Sequence, residues 1–599
     1  MTETQGPPLR SGRGAAAVAV LTLCAAALWA WHLGRLPVEP YYGAAARAMS
    51  RSGHAFWFAA ADAQSTVSID KLPGGIWPQA LAVSAFGVHA WSLALPSAIA
   101  FVLAVPATYR LVARLGGTAA GVAAAAVLTF SPAVVALERG NIPDGLLILL
   151  LVLAANDVVA ARDRPVRLVA AGLWLGLAFE VKMLAAWLVL PALLAGLVVL
   201  AWRAGRVRAM LGWAAAGLAT MVVVALAWPV LVDLVPAASR PWVDGTTDDS
   251  VLTQTFGYNG FARLGSDTPN AILQREGLPI VIDAGRPSPL RLFTGPLGLD
   301  IGWLLPLALV SLVAGLARRA GRAQVAGYAL FGTWLVVVGG AFSVMQEMNP
   351  YYVAMLAPAI AGAVGLGVGE LLSAPTPRAV AVAAVAVAGT VGYGLALASG
   401  RWTPWPFYAA AAIGAAVALA ALLWSLRSAR RIGVAVAAAT ACALVPAAAA
   451  AATVAERAGG AVDVPFESQA TQRQHALWFH DTLASSARLI PVLQRVRAGS
   501  PYLLTTGSGA VASVFALSTD DEVYAIGGFD GHGARPTVGE IRSGVAAGRI
   551  RLVVASAATD DPRIAWIAHA CQRRGGDASS GTATYICTPA SARGGEQRR

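Results

Sequence analysis

Long apolar blocks recur along the chain, separated by short polar stretches. Residues 15–31 read AAAVAVLTLCAAALWAW, 146–161 read LLILLLVLAANDVVAA and 379–398 read AVAVAAVAVAGTVGYGLALA. A helix that crosses a bilayer needs about 20 mostly apolar residues, and about thirteen blocks of that kind are present. Charged residues make up 13% of the chain, about half the share of a globular protein. The expectation is a polytopic all-α membrane protein. The first block lacks a small-residue cleavage site and runs into Trp31-His32, which favours a retained span over a cleaved signal peptide.

Arginine sets the orientation, because short cytoplasmic loops collect Lys and Arg. Arg10 and Arg13, Arg110 and Arg114, Arg162, Arg164 and Arg167, Arg203, Arg206 and Arg208, Arg318, Arg319 and Arg322, and Arg427, Arg430 and Arg431 all fall in short loops after an even number of spans. The N-terminus is expected in the cytoplasm and the C-terminal tail outside the cell membrane. This topology accounts for much of the net charge of +12, so no nucleic-acid partner is needed. The longer loops, 33–90 and 232–297 above all, then face outward. VSIDKLPGGIW, residues 67–77, lies in the first of them.

After residue 456 the composition changes. PYLLTTGSG, EVYAIGGFDG, RIRLVVAS and TATYICTP read as short strands between helical stretches, and Thr537 to Glu540 form a capping-box pattern. Residues 1–456 are therefore read as the membrane domain and 457–599 as a small extracytoplasmic α/β domain. Cys571 and Cys587 lie in that tail, where an oxidising location favours a disulfide; two unpaired buried thiols are the alternative. Cys24 and Cys442 fall within spans.

Four outer places carry candidate chemistry. Glu39, after the first span, is placed to act as a general base, yet Pro40 suits a first helical turn and would make Glu39 a plain helix cap. In ERGNIPDGLL, Glu138, Arg139, Asn141 and Asp144 crowd the outer start of a span; Arg139 beside a helix start suits a phosphate, while the plain alternative has Asp144 complementing the helix N-terminus. Lys71 can meet a phosphate as a point charge, with Gly74-Gly75 letting the backbone approach a ligand; alternatively Asp70 and Lys71 neutralise each other on a solvated loop. Lys182 sits in an apolar context and needs an anion, which is Glu180, another loop carboxylate or a lipid phosphate. In the long loop, Tyr258, Asn259 and Arg263 offer stacking and hydrogen bonds to a sugar or phosphate.

These places, in this order, resemble the C-type glycosyltransferases of the aminoarabinose transferase (ArnT) and protein O-mannosyltransferase type, over roughly residues 30 to 370. The matching motifs are Val38-Glu39-Pro40-Tyr41-Tyr42, Asp70-Lys71-Leu72-Pro73 running on to Trp77, Asn141-Ile142-Pro143-Asp144, and Lys182. FGYNGFARL and the Gly527–Gly531 turn resemble a bacterial branch of mannosyltransferase-like proteins with an extracytoplasmic C-terminal domain. The chain departs from the family at Leu72, where a Pro is usual, and at Asn349, where His is usual.

The resemblance implies a C-type fold and sugar transfer from a polyprenyl-phosphate donor to a cell-envelope lipid, polysaccharide or protein at the outer face. Inversion would follow from a single displacement. Glu39 or Asp144 would be the catalytic carboxylate, and Lys71, Arg139, Lys182 and Arg263 would take the phosphate. Asp70, Asn141, Tyr42, Tyr258, Asn259, Asn349 and Tyr351 would support them. No His/Cys/Asp cluster shows metal-ligand spacing, so no cofactor is expected; a divalent cation between Glu39 and Asp144 is the alternative. The rivals are a transporter or flippase, which would gather charge near the midplane and show related halves, and an inactive scaffold.

Overall fold

The computed structural model describes residues 12–203, 205–261, 284–317, 322–346, 348–399, 401, 405–425, 432–476, 482–556, 560–577 and 581–594. Among them, nine helices are long and apolar enough to cross a membrane, from Gly12–Ala30 to Ile432–Glu456. A tenth crossing is a broken one, Thr118–Thr129 followed by Pro132–Glu138, bent by 59°. The described residues thus show nine or ten spans and not the expected thirteen, and three further helices, Asp144–Ala160, Arg167–Lys182 and Trp405–Ser425, are not among them. Two of these are shorter than a typical span because a charged residue ends them at the site: Asp144 opens one and Lys182 closes the other.

Small residues bring the helices close, as in membrane bundles that lack a strong hydrophobic drive between helices. Gly172 and Gly217 meet backbone to backbone; a Cβ on Gly172 would lie 1.9 Å from the Gly217 carbonyl oxygen. That crossing joins Arg167–Lys182 to Val207–Asp233 and fixes the height at which Lys182 emerges.

The first loop folds into short helices. Pro40–Met49 starts with Pro40 in its first turn and Glu39 as its cap, the placement that a ring-fixed φ favours. Trp77–Phe86 follows the turn Pro73–Gly75. The Ser68 N–H donates to the Trp242 carbonyl at 2.8 Å, so the two long loops are stitched together.

The tail holds a five-stranded sheet in the order β2-β1-β3-β5-β4, with β1 Tyr502–Thr506, β2 Glu522–Ala525, β3 Leu552–Ser556, β4 Gln572–Asp577 and β5 Thr582–Ile586. β1 pairs parallel with β2 and β3, while β5 runs antiparallel to β3 and β4. β4, QRRGGD, has neither alternation nor β-branched residues and was not expected. Cys571 and Cys587 form a disulfide that sets β4 beside β5, opening the register Gln572 to Ile586. The capping box is formed reciprocally: the Glu540 N–H donates to Thr537 Oγ1 at 3.2 Å and the Thr537 N–H to Glu540 Oε2 at 2.6 Å.

The tail docks on the first outer loop. Arg47 donates to the carbonyls of Ala516 and Leu517 and, with Arg51, pairs with Asp520. Tyr41 packs against Phe529 with the rings tilted by 55° and their centres 4.6 Å apart. The Gly527–Gly531 turn needs glycine where it meets the second loop: Gly528 has φ +68°, and a Cβ there would lie 1.7 Å from Asp244 Oδ1.

Candidate active site

Three loop segments converge at one end of the bundle. Asn141 ties two of them: the Glu39 N–H donates to Asn141 Oδ1 at 2.7 Å, and Asn141 Nδ2 returns to the Glu39 carbonyl at 3.1 Å. Gln79 donates to the carbonyls of Asn141 and Gly75 at 2.8 and 3.2 Å, which joins the third. Gly74 and Gly75 complete the contact. A Cβ on Gly74 would lie 2.7 Å from the Glu180 backbone, and one on Gly75 would lie 2.3 Å from Pro143 Cβ. The glycine pair was expected to admit a ligand; it admits neighbouring loops instead, and so carries Lys71 toward Asp144 and Lys182.

Two lysine–carboxylate pairs result. Lys71 Nζ lies 3.1 Å from Asp70 Oδ1, donates to Tyr42 Oη and sits 4.6 Å from the centre of that ring. Asp70 and Lys71 are 1% and 9% exposed, so the pair is buried and the solvated-loop alternative fails. Lys182 Nζ donates to Asp144 Oδ2 at 2.9 Å and lies over the rings of Tyr352 and Tyr351 at 4.6 and 5.3 Å. Of its three possible anions it has taken a loop carboxylate; both Glu180 oxygens are buried without a hydrogen bond. A cation against an aromatic face is worth about 2 kcal/mol when desolvated, so the rings help hold both side chains in place.

Glu39 is the partly open member. Its Oε2 accepts the Tyr42 N–H at 2.7 Å, so it does cap its helix, but a carboxylate has about four lone-pair sites and one bond leaves room for a proton. Burial pushes its carboxyl up to about 7, against the opposing pull of the Tyr42 and Tyr41 backbone N–H groups and the Lys71 charge. A base with that affinity is suited to work near neutral pH.

The supporting residues act mainly through backbone. Asn259 Nδ2 donates to the Asp70 carbonyl at 2.6 Å, and Asn349 Nδ2 to Tyr352 Oη at 3.2 Å, steadying the ring over Lys182. Tyr258 lies against Gly245, where a Cβ would sit 2.7 Å from its ring. Arg263 lies outside the described residues.

Arg139 is a correction. It is fully buried, and its guanidinium donates to the carbonyls of Leu28, Trp29, Trp31 and Gly459 at 2.5 to 3.2 Å. Those include the unsatisfied carbonyls at the end of the first span, so Arg139 holds a helix end rather than a phosphate.

Sequence reasoning missed Tyr352, Gln79, Gln254 and Asp244. Gln254 Nε2 bridges the Ile69 and Asp244 carbonyls at 2.8 Å each. Asp244 Oδ2 accepts the Phe529 N–H at 2.8 Å, and burial together with the nearby Asp70 and Asp530 charges raises its carboxyl well above the usual range. A lone Gln in an apolar run carries no signal, but the second Tyr of NPYY did.

Residues 70–228 match the family described as "Dolichyl-phosphate-mannose-protein mannosyltransferase", and residues 489–570 match "Putative mannosyltransferase YkcB-like, C-terminal". The chain is 29% identical over 442 residues to "Putative mannosyltransferase YycA" of Bacillus subtilis, covering 60% of this chain and 64% of that one. It is 30% identical over 418 residues to "Putative mannosyltransferase YkcB" of the same organism, covering 55% and 58%. The match thus spans less than two thirds of either relative's length. ArnT from Cupriavidus metallidurans, solved bound to undecaprenyl phosphate, superimposes with a TM-score of 0.56 at 18% identity, covering 96% of this chain and 98% of that one. The resemblance read in the loop motifs therefore holds: the chain is a multi-pass membrane protein similar to the C-type glycosyltransferases of the ArnT and protein O-mannosyltransferase type, and it has their fold.

Proposed function

We propose that this protein transfers a sugar from a polyprenyl-phosphate donor to a cell-envelope acceptor at the outer face of the cytoplasmic membrane. One observation carries the reading. Lys71 and Lys182, each matched by a single carboxylate, gather with Tyr42 beside Glu39 at helix ends on the side that bears the tail.

The acceptor hydroxyl oxygen attacks the anomeric carbon while the bond from that carbon to the phosphate oxygen breaks. Glu39 takes the hydroxyl proton, and the polyprenyl phosphate leaves with the electron pair toward Lys71 and Lys182. One displacement inverts the anomeric centre. Preorganised positive charge where the phosphate charge develops is the largest contribution expected in such a site. Asp70 and Asp144 hold the ammonium groups until the donor arrives. The ArnT relative solved with undecaprenyl phosphate supports a polyprenyl donor, and the mannosyltransferase names of the relatives support a hexose.

The sidedness rests on the arginine pattern and on two contacts. The first loop touches the disulfide-bearing tail through Arg47 and Leu517, and the arginine loops meet one another elsewhere, where Arg206 donates to the Arg162 carbonyl.

The test is transfer by purified protein from radiolabelled decaprenyl- and undecaprenyl-phosphate sugars to a membrane and cell-wall extract, with wild type, Glu39→Gln and Asp144→Asn. Transfer from one donor that collapses in Glu39→Gln supports the reading. Silence from folded protein with every donor, together with flux in sealed vesicles, would favour a transporter; silence in both assays would favour a scaffold.

A further inference from the structure

Away from the lysine pairs, the segment that leaves the last span folds back on itself and brings Asp463, Glu467 and His475 together, their ligand atoms all within 4.8 Å of one another. We infer that these three residues form a binding site for one divalent transition-metal ion of the zinc class, clipping the segment that leaves the last span to the helix Gln469–Ala476 that follows it.

The spacing suits an ion. His475 Nδ1 lies 3.0 Å from Asp463 Oδ1 and 3.4 Å from Glu467 Oε2. Ligands at about 2.0–2.2 Å from a tetrahedral centre stand about 3.3 Å apart. One imidazole nitrogen with two carboxylate oxygens is a mixed donor set that zinc accepts readily.

A bridging imidazolium is the competing explanation, and the hydrogen bonds weigh against it. A ring nitrogen has a single proton, and at 3.0 Å that proton serves Asp463. Glu467, 8% exposed, is left with Oε2 buried and without a hydrogen bond. A second carboxyl points to the same shortfall. Asp300, 2% exposed, has Oδ1 buried and without a hydrogen bond, and it lies within electrostatic reach of Glu467 and Asp463. Its helix is held to this segment by Trp303, whose ring stands 6.0 Å from Phe466. Arg457 reaches both Glu467 and Asp463 electrostatically and Arg139 reaches Asp463, but neither guanidinium hydrogen-bonds Glu467 Oε2, and Arg139 uses its N–H groups on carbonyls. A divalent ion would satisfy Glu467 and Asp463 at once and offset the excess of buried carboxylate, which is costly without a counter-charge.

The site also has an entry path and a rigid frame. Asp463 and Glu467 line an open cavity of about 470 Å³ together with Arg457 and Gln472. Asp463 Oδ2 accepts the Gly460 N–H at 2.6 Å, which orients the carboxylate. Outer partners of this kind commonly support metal ligands. Gly460 in turn abuts Pro37, where a Cβ would lie 2.2 Å from its Cγ. The clip therefore braces the loop that carries Glu39.

The experiment uses full-length protein without a histidine tag, purified in detergent, stripped with chelator and reloaded with Zn²⁺ or Mn²⁺ before elemental analysis. About one retained equivalent of zinc is expected in wild type and in Glu39→Gln/Asp144→Asn. His475→Gln and Asp463→Asn/Glu467→Gln should bind about tenfold or more weakly, the scale on which metal-site substitutions act. Wild type reloaded with Co²⁺ should show a visible ligand-field band and a shifted imidazole proton resonance, a readout that needs no variant to fold. Absence of retained zinc and of the cobalt band would overturn the inference. So would a retained equivalent that survives loss of His475, or one that disappears with Glu39 and Asp144.

Discussion

Arg139 on one side and Lys71 with Lys182 on the other are buried cations at the same end of the bundle, housed in opposite ways. Arg139 meets backbone carbonyls, four of them from two separate segments, the end of the first span and Gly459. Each lysine meets one side-chain carboxylate and an aromatic face. A guanidinium wrapped in carbonyls cannot turn to a phosphate without unpairing a helix end. A lysine beside one carboxylate can share its charge with an arriving anion while the chain stays in place. The acceptors around a buried cation, rather than its charge or depth, separate a structural group from one ready for a ligand.

Arg139→Met breaks this contrast most severely. It leaves the carbonyls of Leu28, Trp29, Trp31 and Gly459 without donors, and each buried unpaired polar group costs about 1–3 kcal/mol. The expected outcome is loss of folded protein in detergent size-exclusion and thermal-melt measurements. A folded but inactive Arg139→Met would move this residue back among the phosphate ligands.

Glu39→Gln comes next, with transfer falling by about 10²- to 10⁴-fold, the usual range for a lost general base, and the fold intact. In wild type, kcat/KM for the acceptor should rise with pH through about 7 and then level, because the carboxyl must lose its proton to act. The same upward shift means that the unfolded chain releases this proton first, so the contribution of Glu39 to stability declines as pH climbs from 4.5 to about 7. Glu39→Gln should abolish both dependences; a limb that survives in the variant would transfer the role of base elsewhere.

Lys71→Gln and Lys182→Gln should each lower transfer by about 10²- to 10³-fold, the scale for losing one stabilising donor at a developing charge. Both proteins should melt below wild type, because Asp70 or Asp144 loses its buried counter-charge, but well above Arg139→Met. A melt as low as that of Arg139→Met would erase the distinction drawn above.

The sequence made some of this legible and hid the rest for physical reasons. The spans, the short apolar strands of the tail, the loop carboxylates and both lysines are local signals, legible from the residues around each. Residue type could not separate Arg139 from Lys71, because both are basic residues beside a helix start and the carbonyls that claim Arg139 come from more than a hundred residues away. The Gly74-Gly75 pair was legible as a close approach, but not what it approaches. β4 forms through a disulfide and a partner strand rather than through its own composition. Asp463, Glu467 and His475 lie on a loop and a helix whose meeting depends on the turn between them, so their spacing along the chain gave no metal signature.

The smallest effect probes the same contrast on the exposed docking face of the tail. Asp520 is paired with Arg47 and Arg51, and its side chain is 84% exposed. These arginines lower its carboxyl from 3.8, so the pair is fully present above that pH and is lost as pH falls through the depressed value. An exposed ion pair contributes about 0.2–1 kcal/mol, less at about 0.15 M salt, where the Debye length is about 8 Å. Arg47 keeps its hold on the carbonyls of Ala516 and Leu517 when Asp520 is gone, and Leu517 still packs against Gly43. Asp520→Asn should therefore leave the melting point and transfer almost unchanged at neutral pH, whereas Arg47→Ala, which removes the carbonyl contacts as well, should lower the melting point measurably. Equal losses in the two variants would mean that the carboxylate, and not the carbonyls, anchors Arg47, and the rule that sorts Arg139 from the lysines would not extend to the tail.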